Sequence, residues 1–432
     1  MAEDIVLVTI DSLRADHCGW HDGGAELTPF LDELAAESLT YTAAIAPGPR
    51  TFSSVPVTLT GDPLAAAPGP ITGDDDRIAR MKAHMTSHTA LAERVRDEGY
   101  TTVAFTANPW TSADVAFDRG FDRFTEVGRE GGEIHDLLGD TPLGEPARLF
   151  DHWLHKDRWF SQWRTFYDDI VATVEGIDGP VFAWVFLLDT HNLYLVPRAD
   201  RYESSTLGMY AALYRANELL GQADGKSGLG TEIDDRTLDR LRAAYRDSVR
   251  SVDTFVERLV TDLGDPVVVF HSDHGEAFGE HGTFGHQSAV YEENIHVPLL
   301  VHGVGEGTVT DPVSLRSVPE LVLPAARRGS VDPDAVTTDY AVARTLDDSA
   351  VGLRGRRWKY VRTADGDRLF DLVEDPGETT DVAERHPGVL ADLRERCDDV
   401  LESLPAENPA DADPGDTREM KAHLRSLGYV GE

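Results

Sequence analysis

The sequence predicts an α/β protein built on a mostly parallel β-sheet with helices on both faces. Three short apolar runs support this prediction, because a strand that is buried on both faces shows no polar alternation. Helical patterns alternate with these runs along the chain, and strands that alternate with helices pair in parallel. The three runs are residues 5–10, 181–188 and 266–270.

The other elements of the predicted sheet domain are taken in chain order. Thr28-Pro29 favours a helix start, with a hydroxyl cap and proline at the first helical position. A second helix is predicted over residues 90–98, and the β-branched residues 101–106 predict a strand. Apolar residues at steps of three and four over residues 238–263 predict a long amphipathic helix, and a further strand is predicted over residues 297–301.

The pattern changes after about residue 333. We therefore expect a first domain over residues 1–333 and a smaller α+β subdomain over residues 334–432. A turn at Asp365-Gly366 between two apolar runs predicts an antiparallel hairpin, and a helix and a loop follow it. These elements are expected at residues 358–361, 368–371, 389–401 and 407–416.

Residues 128–170 interrupt the α/β pattern with aromatic and cationic side chains. Two interpretations stay open for this segment. It is either an inserted helical pair that packs on the core, or a lid whose side chains contact an organic group and an anion. Its aromatic residues include His152, Trp153, His155, Trp159 and Trp163.

Charge and composition exclude several classes of partner. The chain has 77 acidic and 40 basic residues, so its net charge is 40 − 77 = −37. Nucleic acids and anionic membrane surfaces need a basic face, which excludes both as partners. Only five of the basic residues are lysine. Such a surface repels itself in dilute buffer and is screened by salt, so we expect a protein adapted to high salt in the cytoplasm. The alternative is an acidic protein without such an adaptation.

Neither cysteine usage nor hydropathy indicates secretion or a membrane span. Cys18 and Cys397 are the only cysteines, and they provide neither a disulfide framework nor zinc-site spacing. The first predicted strand begins directly after Asp4, so we expect no signal peptide. Apolar runs stay well below the roughly 20 residues that span a bilayer. We expect no stable membrane insertion, and the oligomeric state stays open.

Acids and histidines follow three of the predicted strands. Asp11 follows the first strand, Asp189 and His191 follow the second, and Asp273 and His274 follow the third. Ligands bind beyond the carboxyl ends of the strands in an open parallel sheet. Carboxylates and imidazole suit a divalent cation. One such Asp is most often a helix cap, whereas three clusters at one edge favour a metal site.

Thr51 stands directly before a predicted helix that begins at Phe52. The free N–H groups and the dipole at a helix amino terminus favour an alkoxide and a bound anion. The alternative is that Thr51 only caps the helix. Taken alone, this residue favours the capping interpretation.

Ten short motifs follow one another in a specific order along nearly the whole chain. They are IDSLRAD from residue 10, TPFL from residue 28, TLTG from residue 58, SDHGE from residue 272, GEHG from residue 279, VPL from residue 297, RWKY from residue 357, LFDL from residue 369, DPGE from residue 375 and SLGY from residue 426. The ordered set resembles the sulfatase family of the alkaline phosphatase superfamily. The resemblance implies an alkaline-phosphatase-like α/β/α sandwich with a mostly parallel sheet.

The resemblance also implies a metal site and a nucleophile. Asp11, Asp273 and His274 are expected to bind one divalent cation, which could be Mn, Mg, Ca or Zn. A second metal, with Asp189 as a ligand, stays open. The nucleophile of the family lies ten residues before Gly61, and that residue is Thr51.

The sequence departs from true sulfatases around this nucleophile. Those enzymes carry Cys or Ser, followed by Pro and Arg, and oxidise it to formylglycine. Thr51 cannot form that aldehyde, and Val55 replaces the arginine. Asn108 and His286 stand where lysines are expected. A threonine nucleophile is similar instead to the phosphotransferase and phosphodiesterase branch, in which His191 would bind substrate or donate a proton.

Together these features predict a metal-dependent hydrolase or transferase of phosphate esters or, second, sulfate esters. The Thr51 alkoxide would attack a small-molecule or glycan ester and form a covalent intermediate. His191 or His286 would protonate the leaving alcohol, and Arg14, Arg50 and Asn108 are the expected substrate contacts. Two alternatives stay open, a sulfatase that works without formylglycine and a non-catalytic homologue that binds an anionic glycan or polyol phosphate.

Three further polar residues are expected near the site without a chemical role. His281 is expected to brace its loop, His296 to be structural, and Asp16 to cap or orient its loop. A chemical role for His281 stays open as an alternative.

Overall fold

The computed structural model describes residues 3–21, 27–128, 162–222 and 233–406, apart from 68, 70, 72, 193 and 287–288, and also residues 417, 420 and 421. The predicted loop at 407–416 and most of the predicted insertion lie outside the described residues. Trp163, at the described end of that insertion, is buried in the core and packs edge-on against Phe255.

The predicted α/β class is confirmed. Within the described residues the central sheet has eight strands. Strand β1 (Ile5–Ile10) lies between β6 (Val181–Leu187) and β7 (Val267–Ser272) and is parallel to both. Ile10 is in register with Leu187 and Ser272, so these three strands end together at the carboxyl edge. In spatial order the strands are β12 (Gly307–Val309), β2 (Leu39–Tyr41), β11 (Leu299–His302), β7 (Val267–Ser272), β1 (Ile5–Ile10), β6 (Val181–Leu187), β4 (Thr101–Thr106) and β5 (Arg123–Glu126).

The expectation of parallel pairing is wrong for one strand of this sheet. Strand β11 runs antiparallel to both of its neighbours, β2 and β7. The chain leaves β7 at the carboxyl edge and enters β11 from that same edge, without a helical crossover in the described residues between them. It therefore returns in the opposite direction. The strand predicted over residues 297–301 is also split, because Val297 pairs in a separate small sheet.

Within the described residues, two small sheets of three and two strands lie outside both the central sheet and the C-terminal sheet. A three-stranded sheet joins distant parts of the chain, and a two-stranded ribbon lies in the loop after β7. Their strands are β3 (Ala44–Ile45), β10 (His296–Val297) and β13 (Val313–Ser314) in the first, and β8 (Ala277–Phe278) and β9 (Phe284–Gly285) in the second.

Helices cover both faces of the central sheet. Ile5 and Leu7 join one buried core with α2, α3, α4 and α9, whereas Val6 and Val8 join the other with α1, α5, α6 and α7. This alternation produces the predicted sandwich. The helices are α1 (Pro29–Ala36), α2 (Thr51–Thr60), α3 (Asp74–Ser87), α4 (Leu91–Asp97), α5 (Tyr167–Glu175), α6 (Thr206–Gln222), α7 (Asp235–Asp262), α8 (Glu292–Ile295), α9 (Val318–Arg328) and α10 (Pro387–Glu402).

The described residues also form short 3₁₀ turns. None of the described helices is both long and apolar enough to cross a bilayer. The 3₁₀ turns are Ala15–His17, Pro109–Thr111, Ala113–Val115, Trp163–Thr165, Arg198–Asp200, Glu280–Gly282, Leu315–Ser317 and Pro333–Val336.

Helix α1 begins where the sequence predicts, but its expected cap is wrong. The Thr28 hydroxyl makes no capping hydrogen bond and instead accepts one from the Gly19 N–H at 2.9 Å. The carboxylate of Asp253, on α7, accepts from the N–H groups of Phe30 and Leu31 at 3.2 and 2.8 Å. The cap therefore comes from another helix, which local sequence patterns do not reveal.

The predicted C-terminal antiparallel subdomain is confirmed, with two more strands than the sequence predicts. Thr363 pairs with Gly366, so the turn lies at residues 364–365, one position earlier than predicted. Leu353, Tyr360 and Leu393 belong to a separate small core beneath α10. The domain boundary at residue 333 stays a prediction. The strands, in order across the sheet, are β14 (Ala341–Arg344), β15 (Ala350–Arg354), β16 (Trp358–Thr363) and β17 (Gly366–Asp371).

Candidate active site

Two neighbouring strand ends place two carboxylates side by side. Asp11 directly follows β1, and Asp273 directly follows β7. The Asp11 N–H donates to Leu187 O at 2.9 Å, and the Asp273 N–H donates to Ile10 O at 3.0 Å. These backbone hydrogen bonds extend the strand ladders by one residue. They fix both carboxylates at the carboxyl edge of the sheet, where the sequence predicts the site.

Asp11, Asp273 and His274 form a compact triad, which we call the metal triad. One ligand atom from each residue lies within 4.8 Å of the others, and all three residues are buried. His274 Nε2 is 3.6 Å from Asp11 Oδ1 and 3.6 Å from Asp273 Oδ2. In the described part of the chain, no other three His, Cys, Asp or Glu side chains bring ligand atoms this close together.

Hydrogen bonds to the triad leave coordinating atoms unused. His274 Nδ1 lies 2.9 Å from Gly275 O, a contact that needs a proton on Nδ1 and leaves a lone pair on Nε2. Asp273 Oδ1 accepts from the N–H groups of Ser12 and His274, but its buried Oδ2 has no hydrogen-bond partner among the described residues. Unpartnered buried carboxylate oxygens are costly. The donor set therefore fits a divalent cation.

The two carboxylates oppose each other electrostatically. Burial raises the pKa of Asp273 well above its usual range, and the charge of Asp11 raises it further. Burial acts on Asp11 in the same direction, but the nearby imidazoles of His191, His274 and His286 outweigh it and lower the pKa of that carboxyl. Bound positive charge between the carboxylates would relieve this opposition.

Ser12 links the two carboxylates, and sequence reasoning missed it. Its backbone is left-handed, with φ of 64°. In this conformation the Ser12 N–H donates to Asp273 Oδ1 at 3.2 Å and the hydroxyl donates to Asp11 Oδ1 at 2.8 Å. Groups that hydrogen-bond to metal ligands orient them. The strained backbone is a tertiary feature that the residue type alone does not predict.

Thr51 is the first residue of α2 and its hydroxyl lies against the metal triad. Thr51 Oγ1 is 3.5 Å from His274 Nε2 and accepts from Asn108 Nδ2 at 3.3 Å. The helix begins one residue earlier than predicted, and no side chain caps it. The interpretation of Thr51 as only a helix cap is therefore wrong, because its hydroxyl is turned toward the triad.

Asn108 connects the threonine to the triad. It follows β4, and its Nδ2 also donates to Asp11 Oδ2 at 2.7 Å. Its Oδ1 accepts from the Trp110 N–H at 2.9 Å, which fixes the orientation of the amide. Asn108 thus lies beside the predicted nucleophile, and its role as a substrate contact stays a prediction.

Two further predicted histidines stand beside His274. The ring centroids of His191 and His286 are 5.0 Å apart, and that of His286 is 4.9 Å from that of His274. Burial lowers the pKa of His286 well below its usual range, and the charges of the other two histidines act in the same direction. The structure therefore brings together the residues that the sequence predicts for nucleophile, metal and proton transfer.

Glu276 belongs to this cluster but is not among the predicted site residues. It is fully buried, and neither carboxylate oxygen has a hydrogen-bond partner among the described residues. Burial raises the pKa of Glu276 to about 7. Its Oε2 lies 3.5 Å from His286 Nδ1. The signal that could have found Glu276 is its position two residues after His274 in the SDHGE motif.

The two predicted substrate arginines differ in their surroundings. Arg14 donates to both oxygens of Asp16 at 2.9 and 2.6 Å, to Glu280 Oε1 at 2.8 Å and to Glu276 O at 3.0 Å. Its guanidinium is thus already held by carboxylates of the chain. Arg50 makes no hydrogen bond of this kind from its Nε to any described residue. A substrate contact stays a prediction for both.

The residues expected to lack a chemical role are engaged in structural contacts. His281 Nδ1 lies 2.8 Å from Glu293 Oε1, and His296 Nε2 donates to Thr42 O at 2.9 Å. Asp189, the open candidate for a second metal, accepts a backbone N–H at 3.2 Å and lies outside the metal triad. A second metal site stays a prediction.

Comparison with known proteins identifies relatives for part of the chain. Residues 3–312 match the family described as Sulfatase. Arylsulfatase K of Gallus gallus is 26% identical over 242 residues, which cover 47% of this chain and 44% of that protein. The choline-sulfatase of Rhizobium meliloti (strain 1021) is 30% identical over 185 residues, 36% of each chain. The chain thus matches less than half the length of these curated relatives.

Solved structures are similar over nearly the whole chain. The phosphonate monoester hydrolase of Agrobacterium radiobacter has a TM-score of 0.67 at 18% identity, covering 93% of this chain and 95% of that one. A 2-O GAG sulfatase has a TM-score of 0.63 at 16% identity and covers 96% of both chains. At these identities the likeness shows the fold. With the family match over most of its length, this chain belongs to the Sulfatase family.

Proposed function

We propose that this protein is a metal-dependent hydrolase or transferase of phosphate or sulfate esters with Thr51 as its nucleophile. The observation that carries the proposal is the position of the Thr51 hydroxyl, 3.5 Å from His274 Nε2 in a buried cluster with Asp11 and Asp273. Membership of the Sulfatase family supports ester hydrolysis. The similar proteins include three sulfatases and a phosphonate monoester hydrolase, which supports the same reaction class.

The metal triad would hold a divalent cation such as Mn, Mg, Ca or Zn. When bound, such a cation supplies positive charge that polarises an ester oxygen and lowers the pKa of a nearby hydroxyl. His274 Nε2, which has a long 3.5 Å contact with Thr51 Oγ1, and the unpartnered Oδ2 of Asp273 support this assignment.

Helix α2 and Asn108 prepare the Thr51 oxygen for attack. The helix dipole and the first N–H groups of α2 favour negative charge at its amino terminus. Asn108 Nδ2 donates to Thr51 Oγ1 and to Asp11 Oδ2, and so orients a lone pair of the hydroxyl oxygen. The Thr51 alkoxide attacks phosphorus or sulfur in line with the leaving alcohol and forms a covalent ester. Water or a second alcohol then releases the group from Thr51.

Proton transfer is assigned to His191 and His286. Their rings lie within 5.0 Å of each other, and that of His286 lies 4.9 Å from that of His274. Either imidazole is placed to protonate the departing alcohol. His286, whose pKa burial lowers, would be neutral before the reaction and would acquire the proton that the Thr51 hydroxyl loses. A small-molecule or glycan ester is the proposed substrate.

Phosphate esters are favoured over sulfate esters because of the nucleophile itself. Thr51 cannot be oxidised to the formylglycine aldehyde that true sulfatases use. Sulfate esters are the second candidate, because the curated relatives reported above are named as sulfatases. Adaptation to high salt and a cytoplasmic location are further proposals, and they rest on the net charge of −37 and the scarcity of lysine.

The test is turnover of a matched substrate panel by Thr51 variants. Nitrophenyl phosphate, bis-nitrophenyl phosphate and nitrophenyl sulfate are assayed with each of the four metals in concentrated salt. Thr51→Ala is expected to lower kcat/KM by about a thousandfold, and Thr51→Ser, which keeps a hydroxyl, by about tenfold or less. Thr58→Ala is the matched control, because the Thr58 hydroxyl is buried in the same helix and donates to Ser54 O.

Two outcomes would contradict the proposal. Full turnover by Thr51→Ala would exclude Thr51 as the nucleophile. No turnover of any ester by the wild-type protein with any metal would favour the non-catalytic homologue that binds an anion. An equal loss in Thr58→Ala would trace the effect to folding, and unfolding curves of both variants measure that directly.

A further inference from the structure

An open cleft lies at the first turn of α2, the helix that begins with the proposed nucleophile. Residues on both sides of Thr51 in the sequence contribute to its wall. Nothing in the proposed reaction uses this cleft. The wall residues that matter here are Arg50, Phe52, Arg77, Leu346 and Asp347.

Arg50 is the unusual residue of the cleft. Its Nε is excluded from solvent and has no hydrogen-bond partner among the described residues. Its backbone is fixed, because Arg50 O accepts from the N–H groups of Ser53 and Ser54, both at 2.9 Å. Burial, followed by the charge of Arg77, lowers the pKa of Arg50 to about 10. The carboxylates of Glu276, Asp347 and Asp74 lie within electrostatic range of this guanidinium, but none of them accepts a hydrogen bond from its Nε, so a bound anion would supply the missing direct partner.

Arg77 places a second cation on the same aromatic ring. The Cζ atom of Arg50 lies 5.6 Å from the centroid of the Phe52 ring, and that of Arg77 lies 5.3 Å from it. Arg77 Nη1 donates to Asp74 Oδ1 at 2.5 Å. Asp347, the acidic residue of the wall, already accepts from the N–H and the hydroxyl of Ser349 at 3.1 and 2.6 Å. The cleft thus holds two arginines whose neighbouring carboxylates, Asp74 and Asp347, already have hydrogen-bond partners within the chain.

We propose that this cleft binds a second anionic group, which the alcohol portion of the substrate carries. The inference rests on the proposed function, because it assigns the ester group to Thr51 and the extra anion to Arg50 and Arg77. The fork of a guanidinium matches a carboxylate, sulfate or phosphate group. Phe52 and Leu346 offer apolar surface to the carbon skeleton between the two anionic groups. The substrate class is therefore an ester whose alcohol bears a further negative charge.

A simpler role for Arg50 makes a different prediction. Arg50 lies within electrostatic range of Glu276 and His286 as well as of Arg77. If Arg50 contacted only the transferred group, substitution of Arg50 would weaken the binding of all esters equally. Substitution of Arg77 would then have no effect on binding. The second-anion site instead requires both arginines and discriminates between alcohols.

Equilibrium binding of phosphonates tests this site without turnover. The probes are phenylphosphonate and its meta- and para-carboxylated forms, titrated calorimetrically into the full-length protein at one ionic strength. At least one carboxylated probe is expected to bind about tenfold more tightly than phenylphosphonate. Arg77→Gln and Arg50→Gln are each expected to reduce that ratio to about twofold or less. Arg123→Gln is the matched control, because Arg123 is an exposed residue of β5.

Three results would overturn the inference. They are equal binding of all probes by the wild-type protein, a carboxylate preference that survives both substitutions, and no binding of any probe. The assay measures affinity alone. An inactive wild-type protein or an active Thr51→Ala variant would refute the proposed reaction, but neither result would change the measured preference for carboxylated probes. Unfolding curves show whether each arginine variant is folded, and Arg77→Lys, which keeps the charge, is expected to retain part of the preference.

Discussion

Two buried clusters of charged side chains differ in how completely the chain itself pairs them. One cluster joins the sheet domain to the C-terminal sheet, and we call it the interface cluster. Lys359 Nζ lies 3.0 Å from Glu292 Oε1 and 2.8 Å from Glu378 Oε1, and Arg354 Nη2 lies 3.3 Å from Glu292 Oε2. Two cations thus face two carboxylates, and Lys359 is fully buried.

The metal triad shows the opposite arrangement. Asp11 and Asp273 lie side by side, and within the described residues no lysine or arginine forms an ion pair with either. One carboxylate oxygen of Asp273 has no hydrogen-bond partner among those residues. The interface cluster pairs its charges with opposite charges of the chain and therefore stabilises structure, although Arg354 Nε has no hydrogen-bond partner among the described residues. The triad leaves charge and coordinating atoms for a ligand, which is what separates a functional site from a structural ion pair.

The largest expected effect comes from neutralising one carboxylate of the triad. Asp273→Asn is expected to lower kcat/KM by about a thousandfold and to abolish stoichiometric metal binding. In the presence of chelator the variant should be at least as stable as the wild type, because one of two opposing carboxylates is gone. Metal analysis, turnover and unfolding with chelator measure these quantities. Asp168→Asn is the control at a carboxylate that is 97% exposed.

A clear loss of metal-free stability in Asp273→Asn would contradict the contrast between the clusters. It would mean that Asp273 behaves like a member of a completed ion pair.

A substitution in the interface cluster should have the reverse effect, lowering stability without changing metal binding or turnover. Lys359→Met leaves Glu292 and Glu378 without their shared cation, so it is expected to lower the free energy of unfolding by about 3–5 kcal/mol. Metal content and kcat of the folded protein should stay unchanged. Denaturant unfolding gives the first quantity. Arg356→Met, which breaks an exposed pair with Asp311, is the control and should cost about 1 kcal/mol or less.

Retention of wild-type stability by Lys359→Met would show that the interface cluster is not a structural ion pair. A loss of bound metal in the folded variant would show that the two clusters are coupled.

A third kind of buried titratable group, one that stays neutral, extends the comparison to acidic pH. His84 is buried beside Thr60 Oγ1 at 2.8 Å, and burial together with the charge of His88 lowers its pKa from 6.5 to about 3. Below pH 6.5 the unfolded chain therefore binds a proton on His84, whereas the folded chain binds it only near pH 3. The free energy of unfolding consequently falls as the pH drops. His84→Gln should remove about 2 kcal/mol of that fall between pH 6.5 and about 5.

Denaturant unfolding of the wild type and His84→Gln at several pH values measures this difference. Parallel stability curves over that range would contradict a neutral buried His84.

The smallest expected difference concerns salt, because the wild-type protein and Lys359→Met should respond to it equally. Raising salt from about 0.1 M to about 2 M screens repulsion across the acidic surface and should raise the melting temperature. Lys359→Met and the wild type should rise by the same increment, because salt screens buried pairs far less than exposed ones. A much smaller increment for the wild type would indicate that salt reaches the interface cluster.

Sequence patterns predicted the features that depend on chain-local physics. The strand at residues 5–10 is recognisable because burial on both faces leaves a continuous apolar run. Asp11, Asp273 and His274 could be grouped because parallel strands end at a common edge. Thr51 could be added only through the resemblance to a family, since its own pattern favoured a helix cap.

Features set by distant contacts were not predictable in this way. The left-handed backbone of Ser12 and the capping of α1 by Asp253 both depend on residues more than 200 positions away. The antiparallel direction of β11 follows from the path of the preceding loop, which carries no directional signal in its residues. Glu276 was missed because its lack of partners is a property of the packed site.

The most direct test is a crystal structure of the protein with Mn²⁺ and vanadate, located by anomalous scattering. The proposed mechanism predicts manganese within roughly 2–2.6 Å of Asp11, Asp273 and His274. It also predicts vanadium bonded to Thr51 Oγ1. Manganese bound elsewhere, or vanadate held at the site with Thr51 Oγ1 outside bonding distance, would contradict it.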